Sequence, residues 1–143
     1  MLTDSEEATI EIKITFPGGK KVNAELDGFT IKTDQPIKYG GENSAPSPFD
    51  HFLASIGTCA GIYVLSFCEK RKIPADNISL VERLEYGKTP DGKTFIEKIV
   101  IEIIVPPDFP AKYHQALIKV ADQCAVKKAI MNPPKFEVKT LVR

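Results

Sequence analysis

Residues 44–72 read SAPSPFDHFLASIGTCAGIYVLSFCEKRK, and the fold turns on this stretch. It is a long helix. Ser47 stands at the N-cap, Pro48 at the first helical position and Asp50 three residues after the cap. That is a capping box with the shorter acid. The run EKRKIP closes the helix with cations in the last turn, which the macrodipole favours, and then Pro74. Between the ends Phe49, Phe52, Leu53, Ile56, Ile62, Tyr63, Val64, Leu65 and Phe67 form an apolar girdle around nearly every side. A helix apolar all round is built to be buried. This girdle exceeds what one side of a sheet can cover, so the sequence predicts a homodimer with helix–helix contact across its interface. Cys59 lies near the middle of the helix.

Strand patterns flank the helix on both sides. Residues 9–16, TIEIKITF, alternate strictly, with Ile10, Ile12, Ile14 and Phe16 on one face, the pattern of a half-buried strand. PGGKK makes a turn, and Val22, Ala24 and Leu26 continue a second strand. Asp27-Gly28 is a hairpin signal before a third short strand through Ile31. After the helix, ISLVERLEY and FIEKIVIEIIV are strands joined by GKTPDGK in a long hairpin. PPDFP breaks the chain, a second helical region runs from about Ala111 to Met131, and KFEVKTLV is a final strand. The second helical region carries Leu117, Val120, Ala121 and Cys124 on one stripe. The order is β-β-β-α-β-β-α-β, an α+β domain, and 143 residues suit one domain with one core.

Composition narrows the function classes. Lys plus Arg and Asp plus Glu are equal at 19 each, so charge points to neither nucleic acid nor an anionic membrane surface. The opening MLTDSEEATI is acidic where a secretory signal is basic and then apolar. Ser, Thr, Gly and His interrupt the apolar helix. The expectation is a cytoplasmic protein, where three cysteines serve packing, metal binding or redox chemistry rather than a disulfide framework. No Cys-x-x-Cys is present, and His51 and His114 stand apart, so no metal or cofactor is expected.

Cys59 and Cys68 lie nine residues apart on one helix, about 13 Å of rise, and cannot pair within it. Either can pair only with Cys124 or with another chain. Cys124 stands in DQCAVKKAI, and a continuous helix would bring Lys127 and Lys128 close to its sulfur. Packing is the commoner fate of a cysteine in an apolar helix. The residues by themselves therefore reach a soluble α+β domain in which packing and thiol chemistry both stay open.

APSPFDHFLASIGTCAG resembles the signature of the OsmC/Ohr family, and ADQCAVKKAI resembles the segment around that family's second cysteine. The resemblance extends along nearly the whole chain, which makes residues 1–143 a single OsmC-like domain. It implies an intertwined homodimer with long central helices wrapped by antiparallel sheet. It also implies a thiol peroxidase that reduces small organic hydroperoxides and is itself reduced by a small dithiol. Cys59 would become the sulfenic acid and Cys124 would resolve it. The alternative function is a dimer that binds a small hydrophobic ligand with little turnover.

Three departures accompany the resemblance. The family often has Pro directly after its second cysteine, where Ala125 stands here. Its peroxidases activate the thiolate with an arginine from an N-terminal strand, held by a glutamate ten residues before the cysteine. Here no arginine precedes Arg71, and Phe49 occupies the ten-back position. Asp50 and Arg71 are the supporting candidates. Asp50 doubles as a helix cap; Arg71, about 18 Å along the helix from Cys59, reaches it only from another subunit. Without a compensating cation, burial raises a thiol's pKa. The sequence thus predicts slow peroxidase activity rising steeply from pH 7 to 9.

Overall fold

The computed structural model describes residues 10–143, arranged in two compact units divided between Ala54 and Ser55. Thr9 and the acidic opening segment lie outside the described residues. In the first unit β1 (Lys13–Gly18), β2 (Lys21–Leu26) and β3 (Phe29–Thr33) form an antiparallel sheet in sequence order. Leu26 pairs with Phe29 across the two-residue turn Asp27-Gly28, with φ of 48° and 82°. Positive φ at both positions is the twist-compatible hairpin turn that Asp-Gly favours. Ile14, Ala24 and Ile31 oppose one another in register. Their face is apolar, yet Ile12, Ile14 and Phe16 are 52%, 52% and 80% exposed. The half-buried strand expected from the alternation has the right pattern, but the single chain does not cover its apolar face.

A staple in the loop after β3 leads into the long helix. The Asp34 carboxylate is buried and accepts from the Ser44 hydroxyl (2.6 Å) and from the N–H groups of Gln35 (2.8 Å), Ser44 (3.0 Å) and Glu42 (3.3 Å). Gly41 belongs to the same fold of chain: a Cβ there would lie 1.9 Å from the Gln35 carbonyl oxygen. The bonds to Ser44, Gln35 and Glu42 outweigh burial and hold Asp34 down to about 2, from 3.8. Its stabilisation is therefore complete above pH 3.8 and is lost as pH falls through about 2. Asp34→Asn should unfold several degrees below wild type at pH 7, and thermal melts should show the gap closing between about pH 4 and pH 2.

Helix α1 (Pro48–Lys70) begins as its sequence demands. Asp50 N–H donates to Ser47 Oγ (3.2 Å), and Ser47 N–H donates to Asp50 Oδ2 (3.1 Å). In the second unit α1 buries Ile56, Ala60, Val64, Phe67 and Cys68 along one stripe, the three-and-four spacing of one helix face. β4 (Ser79–Lys88) pairs antiparallel with β5 (Thr94–Ile104), closed by a turn in which Gly92 has φ 87°. Val64, Phe67, Cys68, Phe109 and Leu117 make the core, with Leu80, Ile103 and Val105 packed against it.

Glu82 breaks the apolar pattern. It opposes Ile101 in the ladder, between the pairs Leu80–Ile103 and Leu84–Ile99 on the same face. Its carboxylate lies beside Gly57, where a Cβ would come within 2.8 Å of Oε2. Burial pushes Glu82 up, against a bond from the Gly57 N–H. Glycine at 57 is the notch that admits this acid.

The second helical region is broken into pieces. A 3-10 turn at Ala111–Tyr113 leads into α2 (His114–Ala121), and α3 (Ala125–Met131) follows after a corner. The segment read as a final strand, 135–142, enters no ladder, and Phe136 and Val138 are 87% and 96% exposed. Alternation alone does not make a strand: its N–H and C=O groups need a partner edge, and none among the described residues pairs with it. The α+β class, the antiparallel sheets and the element order through the second helical region are those expected.

Candidate active site

The corner between α2 and α3 builds the site. Cys124 adopts φ −51° and ψ 131°, an extended conformation that stops one helix and starts the next as its N-cap. The Lys127 amide donates to Cys124 Sγ at 3.3 Å, and the Lys128 amide to the Cys124 carbonyl at 3.1 Å. A continuous helix would have turned two lysine ammonium groups toward the sulfur. Instead the Lys127 ammonium pairs with Asp122 across the corner, and only its backbone reaches Cys124.

The corner also brings Cys124 against α1. Its sulfur lies 4.0 Å from the Ile56 carbonyl oxygen, one turn before Cys59 on the same side of the helix. The Cys124 thiol and the amides of Val126 and Ala125 are the neighbours that act on the Cys59 sulfur. Burial pushes the Cys59 thiol up. The bonds from Val126 N–H, the Cys124 thiol and Ala125 N–H outweigh it and hold Cys59 below the ordinary thiol value. The effect on Cys124 is opposite: burial raises it, the Lys127 amide opposes, and the hydrogen bond and charge of Cys59 raise it further. The two thiols are thereby driven apart, Cys59 toward the more acidic and Cys124 toward the less acidic.

The expectation of an uncompensated thiol counted only side-chain cations; the groups that oppose burial here are two backbone amides and a second thiol. Every residue but proline carries an amide, so the sequence does not mark which amides converge on a sulfur. One signal was visible: Ala125, unlike proline, has an N–H to give.

The remaining candidates lie elsewhere. Asp50 is bonded to Ser47 as a helix cap. The Arg71 guanidinium stacks 3.6 Å over the Phe67 ring and 5.3 Å from that of Tyr113, and donates to the Phe67 carbonyl. Cys68 is fully buried, and burial raises it against the nearby charge of Arg71. His51 Nε2 donates to the Lys32 carbonyl (2.8 Å), and His114 stacks on Phe109. The described residues hold no cluster of His, Cys, Asp and Glu suited to a metal.

Beside Cys124 lies a groove of about 740 Å³ between β5 and the α2–α3 pair. Ile56, Ile99, Ile101, Leu117, Ile130 and Met131 give it an apolar lining, and Cys124, Asp122 and Lys127 give it polar atoms. It has the size and character of a site for a small apolar molecule.

Comparison with known proteins agrees with this architecture. The family model described as OsmC-like protein matches residues 41–139. No curated protein sequence matches the chain. Among solved structures, one ascribed to an osmotic stress induced and detoxification response protein of Psychrobacter arcticus superposes with a TM-score of 0.69 at 19% identity, covering 87% of this chain and 90% of that one. An organic hydroperoxide resistance protein OsmC from Legionella pneumophila gives 0.56 at 20% identity, over 88% and 91% of the two chains. An organic hydroperoxide resistance protein from Elizabethkingia anophelis gives 0.59 at 21%, over 90% and 92%.

Proposed function

The chain belongs to the OsmC-like protein family, its residues 41–139 matching the family model, and from that premise we propose that it is a thiol peroxidase for small organic hydroperoxides. What supports this reading is the corner at Cys124, whose sulfur lies 4.0 Å from the Ile56 carbonyl oxygen one turn before Cys59, and the lowering of the Cys59 thiol by the groups of that corner. The names of the Legionella and Elizabethkingia structures support the substrate class. A thiolate attacks peroxide and a neutral thiol hardly does. The Cys59 thiolate forms an S–O bond to the hydroperoxide as the O–O bond breaks, and the alkoxide leaves as alcohol with a proton from solvent. The Cys124 sulfur then displaces hydroxide from the Cys59 sulfenic acid; the thiol proton leaves with it as water, and a disulfide remains. A small dithiol restores the pair by exchange. A reducing cytoplasm is the compartment that suits three free cysteines.

The apolar groove favours a second reading, a binder of small hydrophobic molecules with little turnover. The two separate in one assay: alkyl-hydroperoxide consumption with a dithiol reductant, wild type against Cys124→Ser. The peroxidase reading expects turnover by wild type, and in Cys124→Ser a trapped sulfenic acid that over-oxidises with further peroxide. Absence of cysteine-dependent consumption at any pH, with retention of an apolar fluorescent probe, would favour the binder.

The working form in this proposal is a homodimer. Ile12, Ile14 and Phe16 on β1, and Phe49, Phe52 and Ile62 on α1, are apolar and exposed in the single chain, more than a soluble monomer usually leaves to water. Light scattering at micromolar concentration should give twice the chain mass of 15.8 kDa. A stable monomer would contradict this.

A further inference from the structure

A polar seam runs along the middle of α1. Ser55, Cys59, Tyr63 and Ser66 are all half-buried, and their spacing of three or four residues keeps them on one side of the helix. The seam borders the buried stripe of Ile56, Ala60, Val64 and Phe67. Tyr63 follows Cys59 by one turn of an unbroken helix. Side chains at that spacing are neighbours, with about 5–6 Å between Cβ atoms. A long helical side chain leans toward the N-terminus and covers the turn before its own Cα. The turn before Tyr63 carries Cys59, so this lean brings the phenol toward the sulfur. On the other flank stands the corner at Cys124, whose sulfur is 4.0 Å from the Ile56 carbonyl oxygen. The chemistry described so far gives Tyr63 no part.

We propose that Tyr63 is a catalytic residue, the proton donor to the oxygen that leaves when Cys59 opens a hydroperoxide. The inference rests on the peroxidase reading given under Proposed function. The Cys59 thiolate forms its S–O bond to the hydrogen-bearing oxygen. The O–O bond breaks, and its electron pair goes to the oxygen that carries the alkyl group. The Tyr63 hydroxyl gives its proton to that oxygen and the alcohol leaves; the tyrosinate then takes a proton from water. The thiolate is oxidised to a sulfenic acid and the hydroperoxide is reduced to the alcohol. The proton that solvent finally supplies thus passes through Tyr63. Two arguments favour the phenol over water as the direct donor. A phenol, with a pKa of about 10, is a far stronger acid than water at about 15.7, so transfer to an alkoxide runs downhill. A donor fixed one turn from the nucleophile on the same rigid helix also needs no separate encounter. The hydroxyls of Ser55 and Ser66 are aliphatic and lack the acidity of a phenol.

The test compares a reagent that needs the proton with two that do not. Single-turnover oxidation of Cys59 is followed in the full chain with an alkyl hydroperoxide and with peroxyacetic acid, whose carboxylate leaves without a proton. Alkylation by iodoacetamide, which releases iodide, reports the thiolate itself, and peptide mass spectrometry assigns the label to Cys59. Tyr63→Phe keeps the ring and removes only the donor. The variant should be oxidised about tenfold slower or more by the alkyl hydroperoxide, water taking over in part. With peroxyacetic acid it should react at the wild-type rate, and the pH profile of Cys59 alkylation should be that of wild type. An undiminished rate with the alkyl hydroperoxide, or an equal loss with both oxidants as from a change in packing, would overturn the proposal and leave the peroxidase reading standing. A wild-type chain whose Cys59 is oxidised by neither peroxide would overturn both.

Discussion

Cys59→Ser should reduce hydroperoxide consumption to the background of the dithiol alone, at every pH from 6 to 9. Serine is nearly the same size and keeps the hydrogen-bonding positions, so the fold and the cap at Cys124 should survive. What disappears is the nucleophile: a hydroxyl does not ionise in this range, and the thiolate is the attacking species. Cys68→Ser should leave the rate unchanged, because Cys68 is fully buried and burial holds it neutral. Coupled reductant oxidation under alkyl hydroperoxide checks both variants. A Cys59→Ser protein that retains the wild-type rate would remove Cys59 from the chemistry.

The second large effect comes from one backbone hydrogen. Ala125 is the first residue of α3, and the residue before it has φ −51° and ψ 131°. Proline is favoured at a helix's first position, and it asks its predecessor for this extended conformation. Ala125→Pro should therefore fold as wild type does, with an equal or higher melting temperature. It removes one of the amides that hold Cys59 low. A hydrogen bond to a charged group is worth about 1.5–3 kcal/mol. At this partly exposed sulfur the lower end applies, about a tenfold loss of thiolate near neutral pH. The peroxidase rate should fall about tenfold at pH 7 and recover as pH rises past the variant's own thiol titration. Above both titrations the variant should be no slower, since a more basic thiolate is also a better nucleophile. Ala125→Gly keeps the amide and should retain the wild-type pH profile. Equal profiles for Ala125→Pro and wild type would show that the amide does not activate Cys59.

Much of this was legible in the residues. Ser47, Pro48 and Asp50 set the start of α1, and Asp27-Gly28 set a hairpin, because capping and turn chemistry act between near neighbours. The two cysteine segments were legible as a family resemblance, while helix spacing by itself left both Cys59 and Cys68 able to pair with Cys124. The break at Asp122–Cys124 was not. Leu117, Val120, Ala121 and Cys124 keep helical spacing across it, so periodicity reads straight through a corner that only the backbone of Cys124 reveals. The amides that act on Cys59 were hidden because amides belong to every residue. Glu82 follows strand alternation in the middle of an apolar face, and only the notch at Gly57 shows how it is admitted. The segment 135–142 has the alternation of a strand, but a strand is a property of two chain segments, and periodicity describes one.

The most direct test of the central claim is the fate of the three thiols after one equivalent of an alkyl hydroperoxide at pH 7. Peptide mapping by mass spectrometry, after rapid alkylation of the remaining thiols, should find an intrachain Cys59–Cys124 disulfide as the main product with Cys68 still reduced. Oxidation falling first on Cys68, or Cys59 and Cys124 both recovered as free thiols while peroxide persists, would contradict it.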